Sequence, residues 1–178
     1  MQETEELINF LNHEITTYLI KIGQQDKAAA DAALVGSLYH VINDVERIGD
    51  HAENIAEYTI RRVNEEIPFS ELAIKELEGM RERVMSLLKL ARECFHTRNR
   101  ALLSDAIELE DGIDDLERDL QQNHIDRLAQ GLCSPQSGMI FSDMLSNLER
   151  VADHATNIAF SIARDEPPEV PKEFAPRV

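Results

Sequence analysis

The 178-residue chain carries 34 acidic and 18 basic residues, and its net charge of −16 argues against nucleic acid as a partner, because phosphate binding needs clustered Lys and Arg. Hydrophobic residues make up 43% of the chain, which is enough for a sizeable core. No apolar run approaches the roughly 20 residues of a membrane-spanning helix, and the two cysteines, Cys94 and Cys133, lack framework spacing, which predicts a reducing compartment.

Helical periodicity predicts the first two elements. Apolar residues recur at steps of three and four from about Glu3 to Ile22, and again in a long helix from about Lys27 to Glu65. The segment GQQD interrupts the pattern between them, and Asp26 is the predicted N-cap of the second helix.

The third and fourth helices follow two short breaks. Ser70, after the break IPFS, is the predicted N-cap of a helix that runs to about His96. The segment TRNR then leads into a fourth helix from about Ala101 to Ala129.

The fifth helix begins after the segment QGLCSP. Gly131 is a predicted helix stop, Ser134 the next N-cap and Pro135 the first helical residue, and the helix runs to about Arg164. The tail DEPPEVPKEFAPRV holds four of the six prolines and is predicted to be a linker or a loose end. The sequence therefore predicts an all-α bundle of about five helices.

The second and fifth helices contain near copies of one stretch. Residues 46–56 and 149–159 are identical at eight of eleven positions. The first and fourth helices also correspond, at an offset of 105 residues; their matched positions are Glu5 and Glu110, Ile8 and Ile113, Leu11 and Leu116, Ile15 and Leu120. The third helix has no counterpart in the first unit.

This layout predicts two tandem three-helix repeats, of which the first lacks its lead helix. The predicted units are a partial first repeat at 1–66, a second repeat at 67–165 and a Pro-rich tail at 166–178. We hypothesise that the chain was cut from a longer protein whose missing helix precedes Met1.

Both copies place two carboxylates and one amide four residues apart, on the face opposite the apolar stripe. These acidic ladders are Glu46, Asp50 and Asn54, and Glu149, Asp153 and Asn157. Glu110 and Asp114 repeat the spacing on the fourth helix. Carboxylates four residues apart on a helix repel each other by a few tenths of a kcal/mol, and a multivalent cation turns that cost into a gain. Their retention in both halves favours a metal site, since a core requirement would preserve only the apolar stripe.

Two other interpretations remain open. Surface pairs with Arg47 and Arg150 would leave a metal-free acidic helical module that docks on a basic partner. A carboxylate-bridged dimetal enzyme would need Glu three residues before His51 or His154, and neither position holds Glu. These histidines are expected to be hydrogen-bonded packing residues. Because the sequence also holds no nucleophile motif and no phosphate-binding glycine loop, we expect no enzyme.

The segments HVINDVERIGDHAENIAEY and SDMLSNLERVADHATNIAFSI resemble the signature of the PhoU family of phosphate-uptake regulators. The resemblance covers about residues 3–165. It implies a bundle of two three-helix repeats whose E(D)-x-x-x-D motifs bind transition metal ions, with iron or zinc the expected metals. It also implies a non-catalytic regulator of phosphate transport or phosphate signalling.

Several segments are more narrowly similar to the cytoplasmic C-terminal PhoU-like domain of bacterial Na/Pi-cotransporter family proteins. That similarity implies a cytoplasmic location at the inner face of the membrane. The implied partner is a membrane phosphate transporter, Na⁺-coupled and encoded upstream in the same polypeptide or separate from it. We also expect the chain to form a homodimer.

The resemblance assigns metal ligation residue by residue. The implied ligands are Glu46 and Asp50 in the first repeat, and Glu110, Asp114, Glu149 and Asp153 in the second. One position departs from the pattern, because Asn9, beside Glu5, stands where the second repeat has Asp114. An amide oxygen is a neutral and weaker ligand, so if one site is filled we expect it to be the second.

Overall fold

The computed structural model describes residues 2–24 and 29–164. Within these residues, five α-helices and one 3₁₀ turn at Arg100–Leu102 follow one another; the helices are α1 Gln2–Gly23, α2 Ala29–Asn64, α3 Glu71–Thr97, α4 Leu103–Ala129 and α5 Pro135–Arg164. The five predicted helices are confirmed, with ends that differ by one or two residues. The predicted cap at Asp26 and the tail 166–178 lie outside the described residues.

The helix ends follow from local chemistry. The Ser70 hydroxyl accepts a hydrogen bond from the Ala73 amide at 3.1 Å, and Ser134 accepts one from the Ser137 amide at 3.1 Å. Both predicted N-caps are thereby confirmed. Gly131 has a φ of +70°, the left-handed conformation that ends α4. α4 begins slightly later than predicted, because the Asn99 side chain first caps the 3₁₀ turn.

The two duplicated helices, α2 and α5, form the centre of the bundle. They are antiparallel, since Ser37 of α2 bonds Ser161 of α5 while His51 bonds Asn147. α1 packs on α2, α4 packs on α5, and α3 packs on both α4 and α5. No helix among the described residues is apolar over a length sufficient to cross a membrane.

The core lies mainly in the second repeat. Leu120 on α4 is 5% exposed, whereas its first-repeat counterpart Ile15 is 40% exposed. Leu148 on α5 is 8% exposed, and its counterpart Val45 on α2 is 44% exposed. In the described part of the chain, α3 covers the second repeat and no helix takes the equivalent place beside α1 and α2. Among the described residues, the apolar faces of α1 and α2 are therefore less covered than those of α4 and α5.

Gly138 allows α5 to approach the buried ring of His124. A Cβ at this position would lie 2.4 Å from His124 Nε2, and the ring has little freedom because it packs on Phe141, with centroids 5.3 Å apart. We expect Gly138→Ala to lower the free energy of unfolding by about 2 kcal/mol through overpacking. Urea denaturation followed by circular dichroism measures this loss.

Gly36 provides the matched control. It also lies within a helix, but a Cβ there would meet nothing within 4 Å. Gly36→Ala is therefore expected to raise the free energy of unfolding by about 0.5–1 kcal/mol, the ordinary helix-propensity gain. Equal midpoints for the two variants would contradict the predicted clash.

Candidate metal centre

Three carboxylates from two helices meet between α4 and α5. Glu110 and Asp114 stand one turn apart on α4, and Asp153 faces them from α5. One side-chain oxygen of each lies within 4.8 Å of those of the other two. Oxygen atoms at this spacing, supplied by carboxylates, suit a multivalent cation. Three of the six predicted ligands are therefore close together.

Glu149 stands one turn before Asp153 on α5 and lies half-buried. Burial is the main cause that raises its pKa from 4.5 to about 7, and the negative charge of Asp153 adds to the shift. Arg150 acts in the opposite direction, and Asp114 raises the pKa further. The negative charges of the cluster therefore act on Glu149 as well. A cation bound there would favour the ionised form of Glu149.

The same two causes act on the α4 carboxylates. Burial raises the pKa of Glu110 and of Asp114, and in each case a neighbouring aspartate adds to the rise. The Oδ1 atom of Asp114 is buried and has no hydrogen-bond partner in the described structure. A buried carboxylate oxygen without a donor is costly, and metal ligation would satisfy it. The donor set thus suits a multivalent cation, and oxygen ligands alone do not select which one.

The acidic ladders are only partly outward-facing. We predicted that they would point away from the core or into a groove, and Asn54 and Asn157 are indeed exposed. The glutamate and aspartate of the second ladder are instead about one-fifth to one-third exposed, because α4 lies over that face of α5. The packing of α4 supplies the desolvation that the ladder alone does not indicate.

Each ladder carries one arginine. Arg150 contacts Glu149 at 3.6 Å and Asp153 at 3.2 Å. In the first repeat, Arg47 contacts Glu46 at 3.8 Å and Asp50 at 3.3 Å. These arginines are about 60% exposed, so solvent screens the pairs and each contributes little. They neutralise only part of the local negative charge.

The first repeat lacks the three-carboxylate arrangement. Glu46 and Asp50 lie on α2, and on α1 Asn9 donates a hydrogen bond to Glu5. The pKa of Glu53 is raised by partial burial and by the charge of Glu5, so acidic groups do gather here. Among the described residues, however, only the second repeat brings three potential ligands within 4.8 Å. By the offset of 105 residues, the neutral Asn9 stands where the second repeat has Asp114.

The histidines that follow the aspartate of each acidic ladder meet where α2 packs on α5. The rings of His51 and His154 stack with centroids 5.7 Å apart. His51 Nδ1 lies 2.9 Å from Asn147 Oδ1, and His154 Nδ1 lies 2.9 Å from Asp44 Oδ1. They are packing residues with hydrogen-bond partners, as predicted, and they join the two repeats through a local twofold arrangement.

Sequence reasoning missed several residues around these sites. Glu117 raises the pKa of Glu149 and accepts a bond from Ser146; its place three residues after Asp114, on the same face, was an available signal. Asp44 was missed as well. Its equivalence to Asn147 under the repeat could have identified both as partners of the histidines.

The raised pKa of Glu149 predicts a pH dependence for the metal-free protein. The folded state binds more protons than the unfolded state between pH 4.5 and 7, so stability falls as the pH rises through this window. After allowance for solvent screening, we expect a loss of about 1–2 kcal/mol. Glu110 and Asp114 act in the same direction.

Urea denaturation in the presence of a chelator, repeated across this pH range, measures the loss. Glu149→Gln removes the titrating group and should make the profile flatter. A variant profile that runs parallel to the wild-type profile would show that Glu149 does not titrate in this window.

Known proteins resemble this chain over most of its length. A family profile described as the PhoU domain matches residues 1–59 and 77–162. The chain is 28% identical over 173 residues to the phosphate-specific transport system accessory protein PhoU homolog 1 of Thermotoga maritima, a match that covers 97% of this chain and 74% of the relative. The PhoU homolog of Clostridium acetobutylicum is 25% identical over 159 residues, covering 88% of this chain and 71% of the relative.

A solved structure confirms the fold class. The crystal structure of PhoU from Pseudomonas aeruginosa matches with a TM-score of 0.81 at 22% identity, and the match covers 90% of this chain and 77% of that one. At this level of identity the likeness establishes the all-α bundle and its helix arrangement.

Proposed function

The chain belongs to the PhoU family, and from that we propose that it is an accessory protein of a phosphate transport system that regulates phosphate uptake without catalysing a reaction of its own. The observation that carries this proposal is the family match over residues 1–59 and 77–162. Both relatives described above are named as accessory proteins of phosphate-specific transport. The absence of a nucleophile motif from the sequence agrees with a regulatory role.

The second repeat is the proposed metal site. Glu110, Asp114 and Asp153 would hold the ion, and Glu149 would join them once ionised. When bound, the ion supplies positive charge to a cluster of carboxylates that otherwise repel one another. Because the ligands come from α4 and α5, binding would also stabilise the packing of these two helices. Iron or zinc is the metal that the family resemblance implies.

Glu46 and Asp50 form the proposed first-repeat site. The repeat places Glu5 and the neutral Asn9 where the second repeat has Glu110 and Asp114, so we expect weaker binding there than in the second repeat.

The proposed partner is a membrane phosphate transporter, with the chain at the cytoplasmic face of the membrane. The names of the relatives support a transport-system partner. Na⁺ coupling of that transporter, its presence upstream in the same polypeptide and homodimerisation of this chain remain predictions. The net charge of −16 speaks against nucleic acid as a further partner.

Phosphate uptake in cells tests the regulatory role. Cells that lack the chain are compared with cells that express the wild type from a plasmid, using radiolabelled phosphate under phosphate-rich and phosphate-poor conditions. We expect loss of the chain to alter the uptake rate in one of the conditions and the plasmid to restore it. Identical uptake in both strains under both conditions would contradict the proposal.

The alternative function is a metal-free acidic docking module. It is supported by the arginine in each ladder, which pairs with both acids of that ladder. Under this alternative the purified protein carries no metal, and substitution of Glu46 and Asp50 by alanine weakens binding to a basic partner. Metal content therefore separates the two functions.

A further inference from the structure

A small cavity lies where the loop before α3 meets the loop before α5. It has a volume of about 20 Å³, which is room for about one water-sized molecule. Its lining includes Phe69 from the first loop, Cys133 from the second, and His124 and Arg127 from α4. Of the residues that the structure describes, no acidic one lines this cavity, and the acidic ladders are not part of it.

Cys133 and His124 bring a thiol and an imidazole together in the cavity. His124 Nδ1 lies 4.0 Å from Cys133 Sγ, and Cys133 is partly exposed to solvent. The His124 ring is only 7% exposed, yet within the described part of the chain its Nε2 atom has no hydrogen-bond partner. Buried polar groups are normally hydrogen bonded, so this ring is a polar group that a small molecule in the cavity would satisfy.

The protonation state of His124 suits proton transfer from the thiol. Burial is the main cause that lowers the pKa of His124 from 6.5; the positive charge of Arg127 adds to the fall, and Glu76 opposes it. The ring is therefore mostly neutral near pH 7. With its proton on Nε2, the Nδ1 atom can accept the proton of the thiol, and the thiolate is the nucleophilic form of cysteine. The Arg127 guanidinium in the same cavity favours the negative charge that develops during attack.

We propose that Cys133 is a modification site that small hydroperoxides oxidise to a sulfenic acid, with His124 as the proton acceptor. Cys133 Sγ attacks one peroxide oxygen and the O–O bond breaks. The proton that His124 took from the thiol leaves with the other oxygen. With hydrogen peroxide the products are the sulfenic acid and one water molecule.

Free thiols reverse this modification. One thiol condenses with the sulfenic acid, which releases water and leaves a mixed disulfide, and a second thiol cleaves that disulfide. The proposal goes beyond the regulation of phosphate uptake, and it uses none of the metal-site residues. Failure of the metal proposal would therefore not affect it.

Cys94 provides a reference thiol in the same chain. It is 0% exposed, and burial raises the pKa of its thiol. Ala73 lines the cavity near the start of α3, and Cys94 lies about 30 Å further along that helix at the helical rise of about 1.5 Å per residue. A disulfide needs Cα atoms within about 7 Å of each other. The two cysteines therefore cannot pair within one molecule and report separately.

Sulfenic-acid trapping with the full chain tests the proposal. The protein is treated with hydrogen peroxide at pH 7 in the presence of dimedone, and mass spectrometry of peptides measures the labelling rate of each cysteine. In the folded chain we expect Cys133 to react at least about 10-fold faster than Cys94. We also expect Cys133 to react faster in the folded chain than in urea, because only the fold brings His124 to its thiol.

The size of the oxidant tests the role of the cavity. tert-Butyl hydroperoxide carries the same O–O bond on a bulky alkyl group, which a cavity of about 20 Å³ excludes. We expect folding to accelerate the reaction of Cys133 with hydrogen peroxide and to slow its reaction with tert-butyl hydroperoxide, each relative to the same reaction in urea.

A variant tests the proton acceptor. His124→Gln removes the basic nitrogen and should slow the labelling of Cys133 at least about 10-fold. His96→Gln is the matched control, since His96 is exposed on α3 and does not line the cavity; it should react as the wild type does. Circular dichroism checks that both variants are folded. If His124→Gln does not fold, the comparison of folded and urea-treated wild type still decides.

Three results would overturn the proposal. In the first, Cys133 of the wild type reacts with hydrogen peroxide no faster when folded than in urea. In the second, folded His124→Gln is labelled at the wild-type rate. In the third, folding accelerates the reactions with both peroxides equally, which would show that the cavity does not select the oxidant.

Discussion

Protein carrying Asp114→Asn and Asp153→Asn should lose the transition metal that we expect to copurify with the wild type. The two substitutions remove one anionic ligand from α4 and one from α5. In the wild type, one carboxylate oxygen from each of these aspartates and one from Glu110 lie within 4.8 Å of one another. Substitution of residues that only hold a metal's ligands in place already weakens metal binding about 10–100-fold. Because two of the ligands themselves are removed here, we expect the affinity for the metal to fall at least about 100-fold. Mass spectrometry of metals in protein purified without a chelator measures the content.

The control carries the same change of charge elsewhere on α4. Asp105 and Asp119 are exposed and lie outside the cluster, so Asp105→Asn with Asp119→Asn should keep the metal. The ligand variant should also be at least as stable as the metal-free wild type, since it relieves repulsion among the carboxylates. Wild-type protein without stoichiometric metal, after growth in metal-replete medium, would contradict the ligand assignment and favour the metal-free docking module.

Glu76→Ala should cause the largest loss of stability among the substitutions considered. Glu76 on α3 and Arg127 on α4 form a largely buried ion pair with contacts of 2.9 and 2.7 Å. Arg127 also lies over the Phe141 ring, 5.3 Å from its centroid. Removal of the carboxylate leaves the guanidinium buried and unpaired, which typically costs about 3–5 kcal/mol. Urea denaturation measures the change.

Two comparisons separate this effect from a general loss of charge. Glu82→Ala removes an exposed acid from the same helix and should change the free energy of unfolding by less than about 0.5 kcal/mol. Replacement of both Glu76 and Arg127 by leucine should recover most of the loss, because an apolar pair leaves no buried charge. If the single and the double variants are equally unstable, the ion pair is not the cause.

The helices could be predicted because their ends depend on nearby residues. Ser70 and Ser134 cap α3 and α5 through their own hydroxyl groups, and Gly131 ends α4 through its own backbone conformation. The repeat was visible in the same way, since duplicated residues leave a fixed offset in the sequence. Tertiary packing was not required for any of these predictions.

Only part of the candidate site could be predicted from the sequence. The spacing of Glu110 and Asp114 follows from the helical period, but the position of Asp153 opposite them depends on how α4 packs on α5. The pKa of about 7 at Glu149 likewise arises from burial beneath a neighbouring helix. A single sequence fixes neither the distance between two helices nor the solvent that this packing removes.

The crossing of α2 and α5 has a mechanical consequence. His51 and His154 each bond to the opposite helix, one on either side of their stacked rings. If α2 slid along α5 by one turn, about 5.4 Å, both bonds would break together, and so would the Ser37–Ser161 bond between the same helices. Asp50 and Asp153 directly precede these histidines in the chain. The two acidic ladders are thus held in one register by the pair of helices that carries them.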